Sequence, residues 1–173
     1  MGKILGKSLL LALIHESVDK CYCKDRMLIE RGMEQASVAR IYYYMQDALN
    51  HDERYKMLSR YNLDNEYNKN MGMQKCTPRF KYGTRPDIIL HKRHSNSYSD
   101  NILILEFKAK LANGKDSIPR RDKEKLEDFT HIERGYSYFL GVFVRLNVVK
   151  PAYRYFQNGA EKSENGLGVF IDE

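Results

Sequence analysis

Pro86-Asp87-Ile88-Ile89-Leu90 and, after a polar loop, Ile102-Leu103-Ile104-Leu105-Glu106-Phe107-Lys108 are the two stretches on which the reading of this chain turns. Each is a short apolar run bounded by polar residues, and the second is rich in β-branched Ile, so both read as strands. Each also carries a carboxylate in an awkward place. Asp87 opens the first run, and Glu106 lies inside the most apolar strand of the chain. Side chains alternate across a strand, so Ile102, Ile104, Glu106 and Lys108 share one side, and Leu103, Leu105 and Phe107 the other. If the two strands pair across the 92–101 loop, Asp87 comes to the same place as Glu106 and Lys108. Two carboxylates and an ammonium at the edge of a core need one another or a metal.

Such a cluster is suited to one kind of chemistry. Carboxylate oxygens bind Mg²⁺, which keeps several waters and accepts phosphate oxygens. The ion acidifies a bound water and stabilises charge at phosphorus. A nearby Lys can orient or deprotonate that water, or neutralise the phosphorane.

Outward from these strands, residues 8–22 read as a helix, and residues 26–50 as a longer one whose spacing continues weakly to Leu63. The polar stretch 64–70 reads as a loop. Arg79-Phe80-Lys81-Tyr82 alternates like a strand. Pro119 to Arg134 reads as a helix with Leu126, Phe129 and Ile132 on its apolar stripe, and Gly135 supplies a stop. Tyr136 to Leu146 reads as a long strand. Residues 153–156 and 167–171 are expected to form a terminal hairpin. A length of 173 residues suits one domain covering 1–173. Helices and strands mixed around one sheet mean α/β or α+β.

The formal charge of +6 is unevenly placed. Residues 75–125 carry 13 Lys and Arg against 6 Asp and Glu, a net of +7, and the rest of the chain nets −1. Clustered Lys and Arg are the electrostatic footprint of phosphate binding, although a solvated basic face gives the same count.

Pro86-Asp87, then eighteen residues, then Glu106-Phe107-Lys108 resembles the motif of the PD-(D/E)XK nuclease superfamily. The resemblance covers about Glu30 to Leu146. It implies an α/β, restriction-endonuclease-like αβββαβ core: a mixed sheet flanked by helices, here with an extra N-terminal helix and C-terminal β additions. It implies that Asp87 and Glu106 bind Mg²⁺, with Mn²⁺ as a substitute, and that Lys108 serves the water. It also implies a carboxylate on the first core helix, for which Glu34 is the choice and Glu30 the alternative. Lys125 is the candidate phosphate contact on the helix after the motif, with Lys123 and Arg121 behind it. Lys81, Arg85, Lys110 and Arg121 complete the basic set expected to hold a polynucleotide. The implied activity is metal-dependent phosphodiester hydrolysis, with DNA as the first substrate and RNA as the second. A homodimer is an arrangement that many members adopt.

Other features restrict the reading. Three Cys are too few for a disulfide framework, and their spacings do not suit zinc; a reducing, cytoplasmic setting fits them. The apolar run Leu9 to Ile14 follows two lysines like a signal peptide, but it stops at His15-Glu16 with no cleavage site, and it is too short for a membrane span. Tyr42-Tyr43-Tyr44 cannot all face one way on a helix, so some pack and some are exposed. Two rivals to the nuclease remain on these grounds. One is a nucleic-acid-binding module that does not cut. The other is a protein-interaction subunit using the Tyr-rich segment 40–61.

Overall fold

The computed structural model describes residues 3–5, 7–66, 69–70, 73–94, 99–109, 117–134, 136–168 and 170–172. In chain order the elements are β1 (Lys3–Leu5), α1 (Lys7–Lys24), α2 (Arg26–Glu30), α3 (Glu34–His51), a 3₁₀ turn (Glu53–Leu58), β2 (Asn62–Asn65), β3 (Lys69–Asn70), β4 (Met73–Gln74), β5 (Ile88–His91), β6 (Asn101–Ala109), α4 (Arg120–Thr130), β7 (Leu140–Leu146), β8 (Ala152–Gln157), β9 (Ala160–Lys162), a second 3₁₀ turn (Glu164–Gly166) and β10 (Phe170–Asp172). Six strands form an open mixed sheet in the order β2-β5-β6-β7-β8-β9. All its neighbours are antiparallel except β6 and β7, which run parallel and are joined by a crossover containing α4. The fold is α/β.

The alternation read in β6 divides the core into two layers. Leu103, Leu105 and Phe107 pack with Leu10, Leu13 and Ile14 of α1 and Ile41 and Met45 of α3. Ile104 packs on the other face with Ile89, Phe143 and Phe156 against Leu126 and Phe129 of α4. Glu106 has the parity of Ile104, so it enters the α4 layer.

Several expected elements are placed differently. The helix read over 26–50 is two helices. Gly32, at φ +67°, ends α2: its N–H reaches Ile29 O at 3.0 Å and the Met33 N–H reaches Leu28 O at 2.8 Å, the paired bonds of a Schellman stop. Helical structure ends at Leu58, and the polar residues Asn62–Asn65 form an edge strand, so β2 takes the place expected for Arg79–Tyr82. Residues 77–83 instead close on themselves, with Thr77 and Phe80 exchanging backbone bonds. The strand read from Tyr136 starts at Leu140, because the backbones of Tyr138 and Phe139 bond to Phe129 O and Asn101 O rather than to a ladder. The helix read to Arg134 ends at Thr130, where His131 turns extended. The terminal hairpin is β8–β9, closed by Asn158 and Gly159, both at positive φ as a two-residue hairpin turn requires. β10 pairs with β1 instead. Tyr44 is buried and Tyr43 exposed, as the triplet demanded.

The β2–β5 edge is held by a charge cluster in which Asp64 and His91 are buried and Arg93 is exposed. Asp64 accepts from His91 Nε2 at 2.9 Å and from the Arg93 guanidinium. Burial alone would raise the Asp64 carboxyl, but these donors outweigh it and hold it well below the usual carboxylate range. A depressed carboxylate contributes stability above its unfolded value, near 4, and loses that contribution as pH falls through the folded value. The stability of Asp64→Asn against thermal unfolding is therefore expected to be lower than wild type by about 2 kcal/mol at pH 7, with the gap closing toward pH 2. A pH-independent gap would refute this.

Candidate metal and phosphate site

Pro86 delivers the chain into β5, and the β5–β6 register, with Ile88 opposite Leu105, sets Asp87 across from Glu106. The Phe107 N–H donates to Asp87 Oδ2 at 2.7 Å. Glu106 is 2% exposed. Its Oε2 accepts from Lys125 Nζ at 2.6 Å, and its Oε1 is buried with no hydrogen-bond donor among the described residues. Lys125 Nζ also reaches Arg85 O at 3.4 Å.

The stop at Gly32 makes Glu34 the first residue of α3, and α3 points its start at the end of β6. Glu34 Oε1 lies 3.1 Å from Lys108 Nζ, and Oε2 accepts the Ala109 N–H at 2.8 Å. Glu30 is elsewhere: on α2 it makes an exposed pair with Arg26, so the two glutamates do not share a helix face. Asp87, Glu106, Lys108 and Glu34 thus come from three separate elements to one corner.

Electrostatics at this corner are tense. Burial pushes the Glu106 carboxyl well above its ordinary value; Lys125 opposes this and Asp87 adds to it. Burial also raises Asp87, against the Phe107 N–H and Lys125 and with the help of Glu34 and Asp122. Burial would lower Lys108, but the Glu34 carboxylate, with Asp122 and Asp87, holds it above the usual lysine value. Lys108 is therefore a cation at neutral pH.

The basic candidates divide. Lys81, Arg85 and Arg121 are exposed. Arg85 lies 3.3 Å from Glu66, and the Arg121 guanidinium lies 5.6 Å over the Phe80 ring. Lys123, behind them, is half-buried between Glu127 and Glu161. Lys110 lies outside the described residues. Lys125 departs from expectation: at 8% exposure it is the counter-ion of Glu106, because it sits beside Leu126 on the face that α4 packs onto the sheet.

Three residues that sequence reasoning passed over belong to this corner. A cavity of about 340 Å³ is lined by Glu34, Gln35, Val38, Asn65, Glu66 and Asp87. Asn65 and Glu66 end β2, and the Glu66 N–H donates to Asp87 O at 2.9 Å. They lay in a stretch read as loop, and only the pairing of β2 with β5 brings them in. Asp122 acts electrostatically on Asp87, Glu106 and Lys108; its position three residues before Lys125 on one helix was the available signal. A second cavity, about 370 Å³ beside α1, is lined by Glu16, Asp52 and Arg54, whose charges already pair.

Among the described residues, no three His, Cys, Asp or Glu side chains form a ready-made metal cage. Mg²⁺ does not require one, since it is commonly held by one or two carboxylates plus waters and phosphate oxygens. A buried carboxylate oxygen without a donor among the described residues, next to a half-buried second carboxylate, is a donor set of that kind. Among the described residues no helix is long and apolar enough to cross a membrane. No family model, no curated protein and no solved structure matches the chain.

Proposed function

We propose that this chain is a metal-dependent nuclease on the PD-(D/E)XK plan, hydrolysing phosphodiester bonds in DNA. The observation that carries the proposal is Glu106 Oε1, buried and without a donor among the described residues, with Asp87 across from it and Lys108 paired to Glu34 two residues along the same strand. The order α3, β2, β5, β6, α4, β7 fits the restriction-endonuclease-like core. Asp87 and Glu106, with Glu34 beside them, would hold Mg²⁺ or Mn²⁺, which supplies an acidified water and charge stabilisation at phosphorus. Lys108, protonated, orients the water and neutralises the phosphorane rather than accepting a proton. Glu34 fixes Lys108. Lys81, Arg85 and Arg121 hold the backbone.

The Lys125–Glu106 pair favours one alternative, a binding module that does not cut, because the lysine already neutralises one carboxylate. Incubation with plasmid, single-stranded DNA and RNA, with Mg²⁺, Mn²⁺ or chelator, separates the two. Metal-dependent cleavage of DNA is expected. Glu34→Ala is expected to lower it about 10- to 100-fold, the usual cost of losing a group that orients a metal site, and Glu30→Ala to leave it unchanged. Salt-sensitive binding with no cleavage of any substrate would leave the binding module standing and the nuclease refuted.

A further inference from the structure

We propose that residues 75–85 form a rigid finger that stacks Tyr82 on an unpaired base, so that the substrate is single-stranded or locally unpaired nucleic acid. The inference rests on the nuclease reading for its site, and it names that site's substrate class.

The base of the finger is clamped onto the α4 layer. Lys75 is 3% exposed, donates to Tyr138 Oη at 2.8 Å, and lies 5.7, 5.3 and 5.1 Å from the ring centres of Phe129, Tyr136 and Tyr138. The Cys76 N–H donates to Tyr136 Oη at 3.0 Å, and Thr77 Oγ1 donates to Asp128 Oδ2 at 2.7 Å. Arg79 is fixed on Glu127 at 2.7 Å. The Thr84 N–H closes the loop on Lys75 O at 2.8 Å. Gly83 makes the return at φ +95°, where a Cβ would stand 2.2 Å from the Gln74 side chain.

At the tip of this clamped loop Tyr82 is 97% exposed. An aromatic ring held in water adds nothing to folding, and a turn here needs only small polar residues. A rigid backbone removes in advance the ordering cost of presenting that ring. Every base has a π-face, so a fixed ring with cations around it is a stacking platform for single strands, and it finds no free base face inside a duplex. The cations are Lys81 beside it, Arg85 on the returning leg, and Arg121 over Phe80. The returning leg runs straight to the carboxylates. Lys125 touches both Arg85 O and Glu106, and Asp87 follows two residues later. Tyr82 is five residues from Asp87, at most about 18 Å along the chain, so one strand can reach ring and carboxylates together.

The test uses the full chain with Ca²⁺ in place of Mg²⁺, a short single strand carrying 2-aminopurine, and the matching duplex. Wild type and Tyr82→Phe are expected to quench the 2-aminopurine. Tyr82→Ala is expected to lose the quench, to bind the single strand about 10-fold more weakly, and to bind the duplex unchanged. With Mg²⁺ it should raise KM for single strands and leave kcat alone. Gly83→Ala, which bends the tip, should copy the selective loss. Unaltered single-strand binding by Tyr82→Ala, or equal loss on both substrates, overturns the finger. If no variant cleaves but Tyr82→Ala still loses the single strand, the finger stands and the nuclease reading falls. If wild type cleaves and Tyr82→Ala matches it in KM and quench, the reverse holds.

Discussion

If the chain is the proposed nuclease, Asp87→Asn is expected to keep the fold and lower Mg²⁺-dependent cleavage by about 10³-fold, a barrier increase of ~4 kcal/mol. The amide oxygen of Asn can still accept the Phe107 N–H that now binds Asp87 Oδ2 at 2.7 Å, so the β5–β6 corner keeps its shape. What disappears is the negative charge. In the metal-free molecule that charge is costly, since burial raises Asp87 and Asp87 in turn raises Glu106. Metal-free Asp87→Asn should therefore melt at or above the wild-type temperature. On the proposed reading added Mg²⁺ should bind the folded state and raise the wild-type melting temperature by linkage, and most of that rise should vanish in the variant. Stability retained, Mg²⁺ response lost and cleavage lost is a pattern that a damaged fold cannot give. Cleavage within about threefold of wild type would remove Asp87 from the site.

The placement of the candidate residues is legible in the sequence where it is local to one strand pair. Alternation along Ile102 to Lys108 put Glu106 on the side of Ile104, and the 92–101 loop was short enough to bring Asp87 opposite. The layered core followed from the same period. The choice between Glu34 and Glu30 was not legible as a matter of helix faces, because Gly32 ends one helix and lets another begin. That glycine was visible in Arg31-Gly32-Met33, but apolar spacing carried through it. β2 was missed for a different reason. Asn62-Leu63-Asp64-Asn65 has almost no strand propensity, and it is held by pairing to β5 and by the ion pairs of Asp64, which are tertiary effects. With β2 went Glu66 and Asn65. Lys125 shows a further limit. The resemblance makes it a phosphate contact, whereas the packing of Leu126 and Phe129 takes it into the core, where it compensates Glu106.

That burial makes Lys125→Met the largest expected change in stability. Removing one partner of a buried ion pair leaves the other charge without compensation, at a cost of about 3–5 kcal/mol. The sign with pH is fixed by Glu106. Its folded pKa already lies above the ordinary value because of burial, and loss of Lys125, which lowers it, raises it further. A carboxyl raised in the folded state adds stability below its unfolded value, near 4, and that stability is lost as pH rises through the folded value. Lys125→Met should therefore unfold nearly like wild type at pH 4 and show its full deficit by neutral pH. Adding Glu106→Gln removes the stranded charge and should recover all but about 1 kcal/mol. Mg²⁺ gives the same variant a second use. With its lysine gone, the Glu106 carboxylate has only a metal to compensate it, so Mg²⁺ should stabilise Lys125→Met more than it stabilises wild type. A binding module with no metal site would show the pH-dependent deficit and the rescue by Glu106→Gln, yet no response to Mg²⁺ in either protein. A deficit that does not change between pH 4 and pH 8 would mean that Lys125 acts through packing of its stem rather than as the counter-ion of Glu106.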